Sequence, residues 1–485
     1  MPRNKASKSK LKGLLQKKVK QLGQEESSFT RVQDDSYKLC DDEFYLNEPK
    51  AIQYASTYFS RYELLMPALK EASVRKWDGC KIVDEIVSLK PEKSEKVIIG
   101  TLFKEMKLKP SVVLDMVVLL GRESGPFIDE SDSLLLEDIS GRMKILASDI
   151  MDPSKFVTGT VIALKGKINT NGFFEVSDYT LPGVPPINSL RQEETKFSEE
   201  KTLFSDLENR KFMAFVSGME FGNITQKIPT TMLSQFLSGN YGSKLERLLN
   251  SRVARILIAG NHIAEESDID EVIKGSFRTH DINEKVYTNI SGSIEQFECF
   301  VKAISQVCEL DIIPGDNDIA GAFLPQQPPN VALFPQLLKN DNIVFSTNPH
   351  QFEINGKKFL GTSGQNIKDI CRFRDMKEKT ECDILCDTLQ MRHIAPTCPD
   401  TLRSFPFISN DPLVIKECPN VYFSCNAEEF GTKLDKEESE YIRCVTVPSF
   451  SKTSEIVFLD LDSLEVYSYK IAVERDENHE VNMDY

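Results

Sequence analysis

The spacing of apolar residues divides the chain into three stretches. Between Tyr37 and Lys76, the segment QYASTYFSRYELLMPALKEAS sets Tyr54, Tyr58, Tyr62, Leu65 and Leu69 at three- and four-residue steps, the period of an amphipathic helix with one buried face. A stripe of this kind reads as core packing rather than as a ligand site. From Lys96 the period shortens: VIIGTLFKEM, SLLLEDISGRMKIL, FVTGTVIALKGKI and GFFEVSDYTL read as strands separated by Gly, Asp and Asn turns. The pairs Ser140-Gly141 and Asn171-Gly172 predict hairpins, and the set of short strands is what a five-stranded OB barrel requires. Trp77, the single tryptophan, follows the helical segment and is expected to anchor it against the barrel.

From Lys211 to about Tyr469, the apolar runs FMAFVSG, ARILIAGN, ELDIIPGDND, NIVFST, KFLGTSG and NVYFSCN each end in a small-residue turn and alternate with longer polar or helical segments. This alternation predicts a layered α/β domain whose loops gather at the carboxyl ends of its strands, the usual place for a site. EIVFLDLDSLEVYSYKI predicts a closing hairpin. Between the two regions, PGVPPINSLRQEETKFSEEKTLFSDLENR is rich in Pro and charge and marks the domain junction. The expected organisation is a basic disordered tail over 1–36, a helical segment over 37–95, an OB fold over 96–182, a linker over 183–210, an α/β domain over 211–470 and a polar tail over 471–485.

Bulk numbers narrow the function classes. A chain of 485 residues with 40% apolar and 27% charged residues fits two globular domains with tails. The net charge of −15 argues against a chain that binds nucleic acid over its whole surface and favours protein partners. The start is an exception: Arg3, Lys5, Lys8, Lys10, Lys12, Lys17, Lys18 and Lys20 occur with no carboxylate among them, a nuclear localisation signal, a nucleic-acid arm or simply a solvated terminus. Eleven cysteines include no Cys-x-x-Cys pair, and Cys382 and Cys386 stand at helical spacing, so reduced, mostly buried thiols are expected. No apolar run reaches the roughly twenty residues of a membrane span, which predicts a soluble intracellular protein. The barrel aromatics Phe103, Phe156, Phe173, Phe174 and Tyr179 are few for a single-strand platform, which favours a structural or protein-binding barrel.

The strand-end loops resemble, in order, those of a calcineurin-like phosphodiesterase. That family holds two metal ions on loops reading roughly Asp-x-His, Gly-Asp, Gly-Asn-His, an isolated His and Gly-His-x-His, so that a bridging water can attack phosphorus. Here FVSGMEFG carries Gly218 and Glu220 at the first loop. LIAGNH offers Asn261 where the bridging Asp would stand, and IIPGDND has Asp316 and Asn317 in place of Asn and His. MRHIAPTCPD keeps His393, whereas YFSCNAEEF has Cys425, Asn426 and Glu428 in the last loop. No dinuclear site is expected of these residues. At most Asp316 and Asp318 would seat one Mg²⁺ or Ca²⁺, and two carboxylates on one turn are more often solvated.

Degraded loops behind a small barrel resemble the B-subunits of replicative DNA polymerases. GTSGQNIKDICRF, HIAPTCPDTLRSFPF and DPLVIKECPNVYFSCNAEEFGTK look like segments typical of that family. QYASTYFSRY, RKWDG, IIGTLFKEMKLKPSVV and LLLEDISGRM look like its delta type, over about residues 35 to 470. The resemblance implies an α/β protein with an all-β insert, an OB-fold barrel packed on an inactive phosphodiesterase αββα sandwich. It further implies a nuclear, non-catalytic scaffold in DNA replication and repair, with no cofactor. Its implied partners are the cysteine-rich C-terminal domain of the catalytic subunit, a third subunit and, by sharing, polymerase zeta. Two other functions stay open on the residues alone. One is an active metal-dependent phosphodiesterase or nuclease, as in archaeal relatives that retain the ligands. The other is a single-stranded DNA-binding OB protein.

Overall fold

The computed structural model describes residues 29–46, 53–92, 94–109, 125–186, 202–264, 279–408, 410–437 and 440–471. Strand β1 (Lys38–Leu39) precedes helix α1 (Ala55–Lys76). There follow β2 (Ile82–Val83), β3 (Lys96–Glu105), β4 (Ser133–Glu137), β5 (Arg142–Lys144), β6 (Val161–Ile168) and β7 (Phe174–Thr180). These pair in the order β5-β4-β3-β6-β7, with β2 beside β3. A bridge between Ile145 and Phe174 joins the two ends, so the sheet closes on itself. Its interior is filled by Ile98, Leu102, Leu134, Leu136, Ile162, Leu164 and Phe174, which recur at every second position because successive strand side chains point to opposite faces. Both hairpins expected from Ser140-Gly141 and Asn171-Gly172 form, as β4–β5 and β6–β7.

The rest of the chain runs β8 (Phe212–Ser217), α2 (Lys227–Leu237), α3 (Lys244–Ser251), β9 (Val253–Ala259), α4 (Thr279–Ser305), β10 (Glu309–Ile313), β11 (Ile343–Phe345), β12 (His350–Ile354) and β13 (Lys357–Thr362). It continues through α5 (Gln365–Phe373), α6 (Glu381–Gln390), β14 (Val421–Ala427), β15 (Gly431–Glu437), β16 (Glu440–Pro448), α7 (Phe450–Thr453), β17 (Glu455–Asp460) and β18 (Val466–Lys470). Two sheets result, β11-β10-β9-β8-β17-β18 and β1-β12-β13-β14-β16-β15. They face each other through Met213, Phe215, Leu257, Phe352, Phe359, Phe423 and Val445, with the Phe215 and Phe423 rings 5.3 Å apart. Helices α2, α3 and α4 cover the outer face of the first sheet, and α5 and α6 that of the second. Strands β8 and β9 are buried along their whole length, which is why they read as unbroken apolar runs.

Helix α1 joins barrel and sandwich, though not by the stripe its sequence suggests. Leu65 and Leu69 are buried as expected, but the remaining buried positions are Thr57, Ser60, Arg61 and Ser73, and Tyr54 is exposed. The reason is electrostatic. Arg61, fully buried, places Nε 3.0 Å from Asp411 Oδ2 and donates to the carbonyls of Pro396 at 2.8 Å and Cys398 at 2.9 Å. Nearby, Lys104 of the barrel is also fully buried, its Nζ 2.6 Å from the carbonyl of Phe373 and 3.5 Å from Asp132. Trp77 ends the helix as expected, 7% exposed among Val97, Ile99, Val161 and Ala163, with its indole N–H donating to Asp178 at 2.9 Å.

Two expected boundaries move. Leu203, Phe204 and Leu207, inside the stretch read as a linker over 183–210, are core residues against the first sheet, and Arg210 is tied to Asp460 at 2.5 Å. The polar composition of the stretch hid this short apolar insertion; residues 187–201 lie outside the described ones. Likewise, 29–36 is not tail. Arg31 donates to the carbonyl of Leu237 at 2.8 Å, Val32 N–H to that of Ser251 at 2.8 Å, and Asp34 accepts from Lys211 at 3.0 Å. Residues 1–28, which carry the basic cluster, and 472–485, which make up nearly all of the expected polar tail, lie outside the described residues.

The N-terminal strap is fixed by buried charge. His350 Nδ1 stands 2.8 Å from Asp41 and its Nε2 3.7 Å from Asp311. Asp311 in turn meets Arg255 at 2.8 Å and the hydroxyl of Tyr37 at 3.0 Å, and Arg255 lies 3.4 Å over the Tyr37 ring. Burial alone would lower the His350 pKa, but the two carboxylates outweigh it and push it up to about 9.

Two outcomes are expected. Arg61→Ala leaves Asp411 buried without its guanidinium and should cost about 3–5 kcal/mol, read from urea denaturation followed by Trp77 fluorescence; a change under about 1 kcal/mol would contradict the interface. The folded protein holds the His350 proton more tightly than an unfolded chain titrating near 6.5. Its stabilisation is therefore complete below that pH and lost as pH rises through about 9. Native stability should fall across this window more steeply than that of His350→Gln, and parallel curves would refute the assignment.

Candidate functional site

The carboxyl ends of β8, β9, β10, β13 and β14 meet at one mouth, and the backbone there is stitched loop to loop. The N–H of Gly218 donates to the carbonyl of Gly260 at 3.1 Å, that of Glu220 to Asn261 at 3.1 Å, and that of Gly260 to Ile313 at 2.9 Å. Four of the positions singled out by sequence turn through left-handed backbone: Gly218 (φ 60), Glu220 (φ 51), Asn261 (φ 50) and Asn426 (φ 55). Glycine enters that region freely and Asn with less cost than most residues. At Gly218 the close approach also forbids a side chain, because a Cβ would overlap Ser449 Oγ and lie 2.6 Å from Asn426 Oδ1. Gly315 is equally tight, a Cβ there lying 2.6 Å from the Cα of Gly260.

The polar side chains of the mouth are turned onto the protein itself. Asn261 Oδ1 accepts from the N–H groups of Asp316 at 3.1 Å and Asn317 at 3.3 Å. Asn426, 2% exposed, donates through Nδ2 to the carbonyls of Ser363 at 2.9 Å and Ala259 at 3.2 Å. Asp318 accepts from the N–H of His262 at 2.7 Å, of Ile263 at 3.3 Å and of Gly315 at 2.8 Å. Asp316 is exposed, and Glu428 is an exposed residue paired with Lys452 at 2.7 Å. Among the described residues, no group of three or more His, Cys, Asp or Glu side chains is placed to hold a metal ion. The donors fit loop closure and do not fit a metal pair, since the amide oxygen of Asn261 and both carboxylate oxygens of Asp318 already accept backbone hydrogens.

His393 does not join the mouth residues. Its Nε2 lies 3.0 Å from Asp411 Oδ2, and its Nδ1 accepts from the N–H of Ala395 at 3.1 Å. It therefore belongs to the Arg61–Asp411 cluster beneath the barrel. Burial first, then the neighbouring Arg61 charge, hold its pKa down to about 4 against the pull of Asp411, so it is neutral at physiological pH. Cys425 is 1% exposed and leads along β14 into the left-handed turn at Asn426.

Sequence reasoning missed several residues. His262 is buried, stacked 4.6 Å from Phe297, with Nε2 donating to the carbonyl of Ile313 at 3.1 Å; burial lowers its pKa. Behind the mouth, Asn348 Nδ2 donates to Gln326 at 2.7 Å and Gln365 at 2.9 Å. Gln326 in turn donates to the carbonyls of Gly315 and Gly321, both at 3.0 Å. The only signal for this amide network was the family-like segment GTSGQN. Of the barrel aromatics, Phe156 and Phe174 lie inside the barrel core, and Phe103 is capped by Lys109 and Arg142 at 5.5 and 5.7 Å.

Gly218→Ala should destabilise by about 2–4 kcal/mol, roughly 1–2 from left-handed backbone and the rest from overlap, seen as a lower urea midpoint at unchanged slope. Asn261→Asp keeps the acceptor and should change stability by less than about 1 kcal/mol. The opposite order would contradict this description of the mouth.

Residues 213–432 match the family model of the DNA polymerase alpha/epsilon B-subunit, and residues 53–179 that of the DNA polymerase delta subunit OB-fold domain, so the barrel is an OB fold. The chain is 32% identical to the DNA polymerase delta small subunit of Arabidopsis thaliana over 453 residues, 92% of this chain and 97% of the relative. It is 31% identical to that of Oryza sativa, over 85% of this chain and 91% of the relative. The match to that of Saccharomyces cerevisiae is 29% identical over 91% of this chain and 95% of the relative. The chain belongs to the DNA polymerase delta small subunit family.

Proposed function

We propose that this chain is a non-catalytic scaffold of DNA polymerase delta, in which a phosphodiesterase-type αββα domain that has lost its paired metal ions and an OB fold form one rigid body. The observation that carries the proposal is the mouth. Two divalent ions about 4 Å apart repel by roughly 16 kcal/mol at an effective dielectric near 20, and only carboxylate and imidazole ligands shared between them offset that. Here Gly218 supplies no side chain, and the Asn261 oxygen is occupied by backbone hydrogens.

The partners that fit this reading are the cysteine-rich C-terminal domain of the catalytic subunit and a third polymerase delta subunit, with polymerase zeta as a further user. On this reading the chain works in the nucleus, in replication and repair. A pre-ordered surface lowers the entropy lost on association, which is what barrel and sandwich gain by being locked through Arg61 and Lys104. Tagged chain isolated from nuclear extract should bring down a large B-family polymerase in equal amount. The purified chain with Mn²⁺ should release no nitrophenol from bis(4-nitrophenyl) phosphate. Hydrolysis that disappears in Asp316→Ala would overturn the proposal.

A further inference from the structure

Helix α6 lays three cysteines together against the second sheet. Cys382 and Cys386 stand one turn apart on its inner side, and Cys444 lies beneath them on β16, between Tyr422 and Lys433 of the flanking strands. Cys382 and Cys444 are 3% and 0% exposed, whereas Cys386 is half-buried and opens toward solvent. Cys382 and Cys444 belong to one buried cluster, and Cys386 packs against it. All eleven cysteines are described, and none is in a disulfide.

We propose that Cys386 and Cys444 form a reversible disulfide when the protein meets a hydroperoxide. Geometry chooses the pair. Residues four apart on a helix hold their Cβ atoms about 5–6 Å apart, beyond the roughly 3.5–4.5 Å of a disulfide, so Cys382 and Cys386 cannot join without unwinding α6. Cys382 stands against Gly431, where a Cβ would lie 3.0 Å from its own, and Gly431 pairs with Thr446. Thr388 meets Tyr422 at 3.1 Å, and Tyr422 pairs with Cys444, so Cys386, between them on the helix, is the thiol set over Cys444. Cys386 is also the only one of the three thiols that is not fully buried, so a peroxide reaches it first. The Lys433 ammonium lies nearby.

The chemistry balances with the oxidant alone. The Cys386 thiolate attacks one peroxide oxygen, the O–O bond breaks, and the departing oxygen takes a proton to leave as water or alcohol, giving the sulfenic acid. The Cys444 sulfur then attacks that of Cys386, the S–S bond forms, and hydroxide leaves with the Cys444 proton as water. Two electrons pass from the sulfurs to the peroxide. In a reducing compartment the thiols are the resting state, and the bond would link α6 to the sheet only under oxidation.

The test uses the full chain, reduced, then treated with hydrogen peroxide, alkylated with N-ethylmaleimide in denaturant and digested without reductant for mass spectrometry. The expected product is a Cys386–Cys444 linked peptide pair with two alkylated thiols fewer than the eleven of the reduced chain, restored by dithiothreitol. It should be abolished in Cys386→Ser, where the half-buried position leaves the fold intact, and kept in Cys382→Ala. The inference is overturned if Cys386 and Cys444 are both alkylated after peroxide. It is equally overturned if Cys386 goes on to sulfinic acid without a link, or if the link joins Cys382 instead.

Discussion

The backbone at the mouth turns through left-handed conformations, and amide side chains hold it there. Gly218 and Asn426 abut, Asn426 reaches the carbonyls of Ser363 and Ala259, and Asn261 gathers the N–H groups of the loop after β10. The side chains at these positions thus close the ends of the central strands. The left-handed turns cost roughly 1–2 kcal/mol at each non-glycine position, and each amide hydrogen bond returns about 1 kcal/mol. The loops therefore hold as a set rather than singly. An Asp at 218 would meet the same overlap with Ser449, so one substitution there does not open the packed loops.

Rigidity extends from the mouth to the barrel through buried charge as well as apolar contact, where Phe127 and Val157 join the cluster beneath α5 and α6. Arg61 and Lys104 are both buried at the junction, Arg61 with Asp411 and the carbonyls of Pro396 and Cys398, Lys104 with Asp132 and the carbonyl of Phe373. An ion pair of this kind stabilises little compared with a well-packed apolar contact, but breaking it is expensive, which makes relative motion of the two units costly. His393, kept neutral, completes the Asp411 end.

Much of this was legible in the sequence, for reasons that can be traced to residues. Strands β8, β9 and β10 are apolar throughout because both faces are covered, and the hairpin glycines mark the barrel turns. Strands β12, β15 and β16 went unnoticed because HQFEI, GTKLDKE and EYIRCVTVP mix charges into an alternating pattern. The tyrosine stripe of α1 misled because periodicity of apolar residues cannot flag a buried arginine. His393 shows a related limit: its place in the order of loops fitted a ligand, but the segment that carries it folds toward Asp411, a partner set by tertiary contact eighteen residues away. Asn261 and Asn426 were found by position, and the structure supplies their hydrogen-bond partners.

Equilibrium dialysis of the native chain against Mn²⁺ addresses the central claim most directly, because it needs neither a substrate nor a partner. With the strand-end amides committed to backbone groups, the prediction is no saturable uptake. Two tightly held ions per chain, released on Asp316→Ala, would contradict it.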